Sequence, residues 1–379
     1  MLNNNTNALG LIFPNTYDAI VPELTNVRLM ASIPFASRYR LVDFMLSSMA
    51  GSDITNISLL VKNNYLSLMD HLGSGREWDL VRKNGGLHLF PPNAERTATA
   101  YTGRVSAIAG ILDFLRGQKE KYVVMSDANK AVNFDFKAMI NAHIEKGADV
   151  TIAYTEIEIP EGYLNLSNNQ GFYYTYGIED GRVTNIKVNP KDEGIQNVSM
   201  NVFVIEHELL IDLINTAFVR GQKYWERDVL LNQLGKLNVQ AYKYEGYVAR
   251  ITSIKSYFEE NMKLLDDYNL DALFGGNPIN TKIRDANPTR YIAGAKVVNT
   301  MAADGCVIEG EVENSILFRG VKVAKGAKVK NCILMQDTVI EAGADVEYMI
   351  TDKNVVVSAG KEMKGTDTYP VYIAKNKTV

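Results

Sequence analysis

The loop after the first apolar segment, residues 8–13, is the first place to look for phosphate chemistry. Loop amides at the C-terminal edge of a parallel sheet point at anions, and a phosphate can approach them closely only where several successive residues lack a Cβ. Residues 10–30 contain one glycine, two prolines and many bulky side chains. This loop is therefore poorly suited to hold a triphosphate.

Metal-binding and disulfide chemistry also lack the residue spacing that they require. The two cysteines, Cys306 and Cys332, form no C-x-x-C motif, and no carboxylate or histidine cluster surrounds His71 or His88. Structural zinc sites and disulfide frameworks need such spacing. We therefore predict no metal site and a reducing compartment.

Strands alternating with helices must position any functional side chains of the first 270 residues. Between residues 8 and 154, short apolar runs alternate with helical patterns, which predicts a mostly parallel sheet covered by helices on both faces. Glu179-Asp180-Gly181, flanked by strand formers over 172–187, predicts a hairpin added to that sheet. Further helices are predicted over 207–218 and 254–269, with a strand-like stretch over 239–248 between them.

The residue pattern changes after Gly275-Gly276-Asn277-Pro278, where helical periodicity ends. Three similar segments then begin 17 residues apart, at Val312, Val329 and Val346. A repeat of about 18 residues is typical of one coil of a parallel β-helix, in which each coil buries its inner face against the next. A chance Val/Ile-rich β meander is the alternative. We predict two domains, residues 1–275 and 276–379.

The overall charge excludes broad electrostatic attraction to polyanions. Forty Lys and Arg residues stand against 44 Asp and Glu residues, which gives a formal net charge of −4. Nucleic acid and anionic membrane surfaces are bound by an excess of basic residues, and no apolar run approaches the roughly 20 residues of a membrane-spanning helix. We therefore expect a cytoplasmic protein that binds neither nucleic acid nor membrane.

Several segments match a known family in order along the chain. Residues 33–48 read Ile-Pro-Phe-Ala-Ser-Arg-Tyr-Arg-Leu-Val-Asp-Phe-Met-Leu-Ser-Ser, and 67–80 read Ser-Leu-Met-Asp-His-Leu-Gly-Ser-Gly-Arg-Glu-Trp-Asp-Leu. With residues 199–205 and 257–262, these segments resemble bacterial ADP-glucose pyrophosphorylases (glucose-1-phosphate adenylyltransferases). The resemblance spans nearly the whole chain.

This resemblance implies a fold and a reaction. The fold is a Rossmann-like, mostly parallel α/β nucleotidyltransferase domain followed by a C-terminal left-handed parallel β-helix. In the reaction, glucose 1-phosphate attacks the α-phosphate of ATP and gives ADP-glucose and pyrophosphate. Such chemistry needs positive charge around the phosphates and Mg²⁺ held by carboxylates.

The positions that carry this chemistry in the family hold other residues here. Met30 replaces the phosphate-neutralising lysine, Asn129 replaces the first metal aspartate and Arg250 replaces the second. An amide is a poorer magnesium ligand than a carboxylate, and an arginine repels the metal. The family's motifs are also lost at 10–18, 103–107 and 188–190. Asp127 remains as a carboxylate that could substitute if its loop is shifted.

These replacements imply the family's non-catalytic regulatory subunit. Such a subunit has no catalytic residues and no cofactor of its own, and Mg²⁺ is expected only at the catalytic subunit. Its implied partner is the catalytic subunit, in a hetero-oligomer that we expect to be a heterotetramer, with self-association when it is alone.

Four residues in the best-matched segments are candidates for binding a regulatory anion. Arg38, Arg40, His71 and Arg76 correspond to a basic neighbourhood near which anionic effectors such as sugar phosphates act in the catalytic relatives. The alternative is a set of framework ion pairs, with Arg40 and Asp43 one helical turn apart.

Two other functions compete with the regulatory one. An active glucose-1-phosphate adenylyltransferase would need Asp127 to bind magnesium. An acyltransferase built on the β-helix would commonly need a histidine base between coils, and residues 280–379 contain no histidine.

Overall fold

The computed structural model describes residues 6–92, 102–166 and 171–379. A nine-stranded sheet forms the first part. With the strands numbered along the chain as given in the next sentence, their spatial order is β3-β2-β1-β4-β8-β5-β9-β7-β6. Its strands are β1 (Ala8–Phe13), β2 (Asn56–Leu60), β3 (Gly86–Phe90), β4 (Tyr122–Asp127), β5 (Val150–Glu158), β6 (Tyr174–Glu179), β7 (Arg182–Val188), β8 (Ile195–Glu206) and β9 (Val239–Lys243).

The predicted mostly parallel sheet is confirmed. Strand β1 pairs in parallel with both β2 and β4, β2 pairs in parallel with β3, and β9 pairs in parallel with β5. Strand β8 runs antiparallel between β4 and β5. The predicted hairpin is also confirmed, because β6 and β7 pair antiparallel at one edge of the sheet.

Ten α-helices are found in the described residues: α1 (Pro22–Thr25), α2 (Leu41–Gly51), α3 (Leu66–Leu72), α4 (Arg104–Ala109), α5 (Leu112–Arg116), α6 (Phe136–Glu145), α7 (Glu161–Leu164), α8 (His207–Val219), α9 (Ile254–Met262) and α10 (Asp267–Phe274). Side chains alternate along β1: Leu9 and Leu11 pack with α4, α5 and α8, whereas Ala8 and Ile12 pack with α2 and α6. Helices therefore cover both faces, as predicted.

The single helix predicted over 254–269 is wrong. Helix α9 ends at Met262, a 3₁₀ turn (Lys263–Leu265) follows, and α10 begins at Asp267. Asp266 has extended backbone angles, and its carboxylate accepts a hydrogen bond from the backbone N–H of Asn269. An aspartate that caps a new helix in this way interrupts the preceding one. The helix predicted over 207–218 is confirmed as α8.

The C-terminal part is a left-handed parallel β-helix. One sheet consists of Arg290–Tyr291, Val307–Ile308, Lys322–Val323, Val339–Ile340 and Val356–Val357. The other consists of Lys296–Ala302, Glu311–Leu317, Lys328–Lys330, Ile333–Leu334, Asp345–Glu347, Met349–Thr351, Glu362–Lys364 and Val371–Ile373. Val312 pairs in parallel with Val329, and Val329 with Val346, so the repeat predicted from the sequence is confirmed.

The two parts share a buried core. Tyr257 and Phe258 of α9 pack in one cluster with Ile316, Ile333 and Ile350 of the β-helix. A segment without helix or strand follows α10 and leads to Arg290–Tyr291 of the β-helix. The division into residues 1–275 and 276–379 stays a prediction. None of the helices within the described ranges is long and apolar enough to cross a membrane.

Candidate functional site

A cleft of about 540 Å³ lies where β1 and β4 end. Its walls are formed by residues 13, 15–19, 62–63, 102–104, 171–172, 174 and 224–226. The crevice outside the carboxyl ends of parallel strands is the usual ligand site of an open α/β sheet. This cleft is therefore the place where the family's chemistry would occur.

The guanidinium of Arg104 lies in the wall of this cleft and binds two carboxylates. One nitrogen lies 2.5 Å from Oδ2 of Asp127, and another donates to Oε1 of Glu226. Asp127 and Glu226 are almost completely buried. Burial disfavours the charge of Arg104, but the two carboxylates outweigh this and hold its pKa above the usual value. A fixed cation thus occupies the space between the two acids.

Asp127, the candidate substitute for the lost metal ligand, has both oxygens engaged. Its Oδ2 accepts from Arg104, and its Oδ1 accepts from the hydroxyl of Thr16 at 3.0 Å. A magnesium ion would have to displace the guanidinium and meet its positive charge. The arrangement does not fit Mg²⁺.

Asn129 and Arg250, the two residues predicted to stand at the positions of the metal aspartates, lie on adjacent segments. Arg250 pairs with Lys130 in a two-stranded sheet (Lys130–Ala131 with Ala249–Arg250), and the backbone N–H of Ile251 donates to the carbonyl oxygen of Asn129 at 3.1 Å. The guanidinium of Arg250 donates to the carbonyl of Ser199 at 2.8 Å and to the hydroxyl of Thr155 at 2.6 Å. Both of these contacts are made with neutral oxygens.

A second buried cation adjoins Arg250. The ammonium of Lys130 donates to the carbonyl of Asp127 at 3.2 Å, and burial lowers the pKa of Lys130 to about 7, although the nearby carboxylate of Asp127 opposes this. Over the described ranges, no three His, Cys, Asp or Glu side chains are grouped so that they could hold a metal ion. The predicted metal positions thus hold an amide and a guanidinium, with the Lys130 side chain beside them.

Met30, the predicted replacement for the family's lysine, belongs to the core. Its side chain is completely buried in the cluster shared with the β-helix, and its backbone N–H donates to Oδ1 of Asp18 at 2.6 Å. Burial raises the pKa of Asp18 to about 6, even though hydrogen bonds from Asn15 and Met30 oppose this. Asp18 thus orders the loop beside the cleft.

Aromatic rings fill the space below this loop. Tyr17 has a left-handed backbone (φ 68°), and its ring centroid lies 5.3 Å from that of Tyr163, which stacks on Tyr173 at 5.2 Å. The hydroxyl of Tyr17 donates to the carbonyl of Phe172 at 2.8 Å and accepts from Asn201 at 3.0 Å. A bulky residue in this conformation is strained and persists only where its surroundings enforce it. These contacts fix the loop in its present shape.

A second candidate site is a basic pocket between the two parts of the chain. The pocket takes cations from three regions: Arg38 and Arg40 near the N-terminus, Lys282 and Arg284 in the connecting segment, and Arg319 and Lys353 in the β-helix. Two carboxylates pair with members of this set: Asp70 lies 3.2 Å from Lys282, and Asp304 lies 3.2 Å from Arg319. The pocket therefore carries an excess of positive charge, which suits an anion.

Three of the four anion-binding residues predicted from the sequence meet in this pocket. Arg38, Arg40 and His71 line it, whereas Arg76 lies in a neighbouring groove with Arg38 and Glu77. His71 approaches Asp43 at 2.6 Å, but burial outweighs this contact and lowers the pKa of His71. Near pH 7 its ring therefore contributes little positive charge.

The framework ion pair considered for Arg40 and Asp43 takes another form. The backbone N–H of Arg40 donates to Oδ2 of Asp43 at 2.9 Å, and this contact caps α2. The guanidinium of Arg40 donates instead to the carbonyl of Ser67 at 2.6 Å. Burial lowers the pKa of Arg40 to about 10, so the side chain stays charged at neutral pH.

Sequence reasoning did not single out the cations from the connecting segment and the β-helix. Lys282 and Arg284 line the pocket from a segment without regular secondary structure, so no periodicity pointed to them. Arg319 and Lys353 carried no such signal, because their approach to Arg40 depends on how the β-helix packs. Arg104 and Glu226 were also missed, since they are 122 residues apart.

We predict that Lys353 would make anion binding in this pocket depend on pH. Burial and the repulsion from Arg40 and Arg28 lower the pKa of Lys353 to about 7, although Asp352 opposes this. The ammonium is present below pH 7 and is lost above it, whereas a bound anion raises its pKa. Sulfate is a suitable probe because it does not titrate in this range. We expect the affinity for sulfate to fall about tenfold between pH 6 and pH 8.5. The reason is that a hydrogen bond to a charged group contributes about 1.5 kcal/mol or more.

Isothermal titration with sulfate at several pH values measures this effect. The variant Lys353→Arg keeps its charge over the whole range and is the matched control, so its affinity should be nearly constant. Equal pH profiles for the two proteins would contradict the assignment to Lys353.

Comparisons with known proteins agree with the fold. The family model described as nucleotidyl transferase matches residues 21–266, and the model described as GlmU-like, C-terminal hexapeptide matches residues 287–369. The chain is 35% identical over 327 residues to glycogen biosynthesis protein GlgD of Bacillus subtilis, which covers 86% of this chain and 83% of the relative. It is 37% identical over 328 residues to GlgD of Geobacillus stearothermophilus, with the same coverage of both chains.

Catalytic relatives match over a somewhat shorter range. The chain is 33% identical over 307 residues to a glucose-1-phosphate adenylyltransferase of Bacillus mycoides, which covers 79% of each chain. The resemblance predicted from the sequence motifs is therefore confirmed. The chain belongs to the nucleotidyl transferase family of the ADP-glucose pyrophosphorylases, which contains both GlgD and the glucose-1-phosphate adenylyltransferases.

Proposed function

We propose that this chain is a regulatory, catalytically impaired subunit of ADP-glucose pyrophosphorylase in glycogen biosynthesis and that it modulates the catalytic subunit. The observation that carries this proposal is the position of Arg104, which holds Asp127 and Glu226 where a nucleotide and its metal would need space. The names of the relatives support the process and the reaction. GlgD is called a glycogen biosynthesis protein, and the adenylyltransferases are named for their activity.

In its proposed role, this chain binds no Mg²⁺ of its own. A reactive cleft in this family needs carboxylates free to hold the metal, whereas Asn129 and Arg250 stand at the metal positions and Asp127 is engaged. The metal would be bound at the catalytic subunit alone. On this proposal, the substitutions leave the fold intact but remove the carboxylates that would bind the metal required by the reaction.

Regulation by an inactive partner requires only differential binding. A subunit that binds the active conformation of the catalytic subunit more tightly than the inactive one shifts the population toward activity. The basic pocket supports this role, because an anion bound there contacts both parts of the chain and can change the surface presented to a partner. We propose a heterotetramer, in which the open edges of the β-helix offer unpaired strands to neighbouring subunits.

An activity assay on mixtures tests the proposal. ADP-glucose formation from ATP, glucose 1-phosphate and Mg²⁺ is measured with this chain alone, with the catalytic subunit alone and with both, over a range of effector concentrations. We expect no turnover from this chain alone and a changed kcat or effector midpoint in the mixture. Robust turnover by this chain alone, abolished in Asp127→Ala, would instead establish an active enzyme.

A further inference from the structure

A third cavity, of about 380 Å³, lies beside Arg250 and shares no lining residue with the cleft or with the basic pocket. Its walls are formed by the end of β5, by α7, by parts of the segment 246–253 and by one side of α9. A Cβ on Gly162 of α7 would lie 2.0 Å from the carbonyl oxygen of Thr252. Such close packing holds the walls in place. We call this space the Arg250 cavity.

Arg250 brings a buried positive charge to the wall of this cavity. The exposed fraction of Arg250 is only 8%, and its Nε is buried without a hydrogen-bond partner. The guanidinium donates to two neutral oxygens, and none of the ion pairs within the described ranges joins it to a carboxylate. A buried charge without a counter-charge is costly. The cavity therefore favours a negatively charged group next to Arg250.

The start of α9 adds partial positive charge to the same cavity. Ser253 caps this helix, because its hydroxyl accepts from the backbone N–H of Ser256 at 3.0 Å. The hydroxyl of Ser256 accepts in return from the backbone N–H of Ser253 at 2.9 Å. Both serines line the cavity, and the aligned peptide dipoles of a helix favour an anion at its N-terminus. Two independent features thus select the same sign of ligand charge.

The more exposed part of the cavity carries a slight excess of acid. Lys255 lies 3.6 Å from Glu161 and 3.9 Å from Glu259. Lys263 lies 2.6 Å from Glu260. Three carboxylates therefore stand against two ammonium groups, and they repel any second negative charge on a ligand. A ligand with a single negative charge, placed at the buried guanidinium, fits this distribution better than a dianion does.

Apolar side chains form the remaining wall. Ile157, Pro160 and Val248 line the cavity and are half-buried. Their exposed carbon surface would be removed from water by a ligand with an apolar body. The cavity therefore suits an organic anion and not a bare inorganic ion.

We propose that the Arg250 cavity binds a small monocarboxylic acid, with its carboxylate at Arg250 and the start of α9 and its apolar body against Ile157, Pro160 and Val248. This site is separate from the basic pocket. It does not depend on the proposed regulatory function, since it follows from the contacts of the cavity alone.

Isothermal titration of the whole chain with benzoate at pH 7 tests the proposal, with the ionic strength held constant by sodium chloride. Benzoate carries one negative charge and an apolar ring. We expect one benzoate to bind per chain. In Arg250→Gln the affinity should fall at least about tenfold, because a hydrogen bond between two charged groups is lost.

A matched pair of variants at Val248 covers the case in which Arg250→Gln fails to fold. Val248→Glu places a carboxylate in the cavity wall two residues from Arg250, so it should compete with benzoate and weaken its binding at least about tenfold. Val248→Gln has nearly the same size but no charge, and its affinity should stay within about threefold of that of the native protein.

The double variant Arg38→Gln, Lys353→Gln removes two cations of the basic pocket and should bind benzoate as the native protein does. In this double variant, sulfate at equal ionic strength should not displace benzoate. Displacement by sulfate would overturn the preference for a single charge.

Three other results would overturn the site itself. These are no binding of benzoate to the native protein, equal binding by the native protein and Val248→Glu, and loss of binding in the double variant alone. Because none of these measurements involves ADP-glucose formation, failure of this site leaves the proposed function untouched.

Discussion

Replacing Arg104 by alanine is expected to lower the free energy of unfolding by about 3–5 kcal/mol, the usual effect of removing one partner of a buried ion pair. Asp127 and Glu226 would remain buried without their counter-ion. Their mutual repulsion and their loss of hydration would then both oppose folding. We expect this loss of stability to be one of the two largest effects of substitutions in the described residues.

The loss in the Arg104→Ala variant should depend on pH in a defined direction. Burial already raises the pKa of Glu226 in the native protein, although Arg104 opposes this. Without Arg104 the pKa of Glu226 rises further, so the folded variant binds protons that the unfolded chain releases. A raised folded-state pKa favours folding at low pH, and the difference between native and variant proteins should therefore shrink as the pH falls from 8 to 5.

Urea unfolding of both proteins at several pH values measures these effects. The triple variant Arg104→Met, Asp127→Asn, Glu226→Gln removes all three charges together and is the matched control. Because no unpaired charge remains, its stability should lie much closer to that of the native protein. An Arg104→Ala variant as stable as the native protein would show that the guanidinium does not neutralise the two acids.

The sequence predicted the fold well where one physical pattern decided the structure. The complete burial of β1 follows from its uninterrupted apolar run, and the 17-residue register of Val312, Val329 and Val346 follows from the repeat. The break at Asp266 was missed because the apolar pattern continues through it, whereas the side-chain cap that begins α10 depends on a single polar residue.

The sequence prediction for the candidate site consists mainly of expected losses. Met30, Asn129 and Arg250 are predicted to stand at the family's functional positions because of their spacing from the framework motifs, and these assignments stay predictions. What replaced the lost chemistry could not be read in the same way. The pairing of Arg104 with Glu226 joins residues 122 apart, and only tertiary packing brings them together. Periodicity and motif spacing contain no information about such a pair.

Removing two cations of the basic pocket should have the other large effect. We expect Arg38→Gln combined with Lys353→Gln to weaken sulfate binding at pH 6 by about 100-fold. Each hydrogen bond from a charged group contributes about 1.5–3 kcal/mol, and two such donors would be lost. Both side chains line the pocket, and neither has a carboxylate among the ion pairs of the described residues, so their removal leaves no acid unpaired.

Arg76→Gln provides the matched control for this double variant. Arg76 was grouped with Arg38 by sequence, but it lies in the neighbouring groove beside Glu77 and not in the pocket. Its loss removes one positive charge at the surface, where screening by salt leaves little effect, so sulfate affinity should change less than about twofold. A large loss in Arg76→Gln with none in the double variant would move the anion site from the pocket to the groove. In that case an anion would no longer meet Lys353, and the β-helix would have no direct part in sensing it.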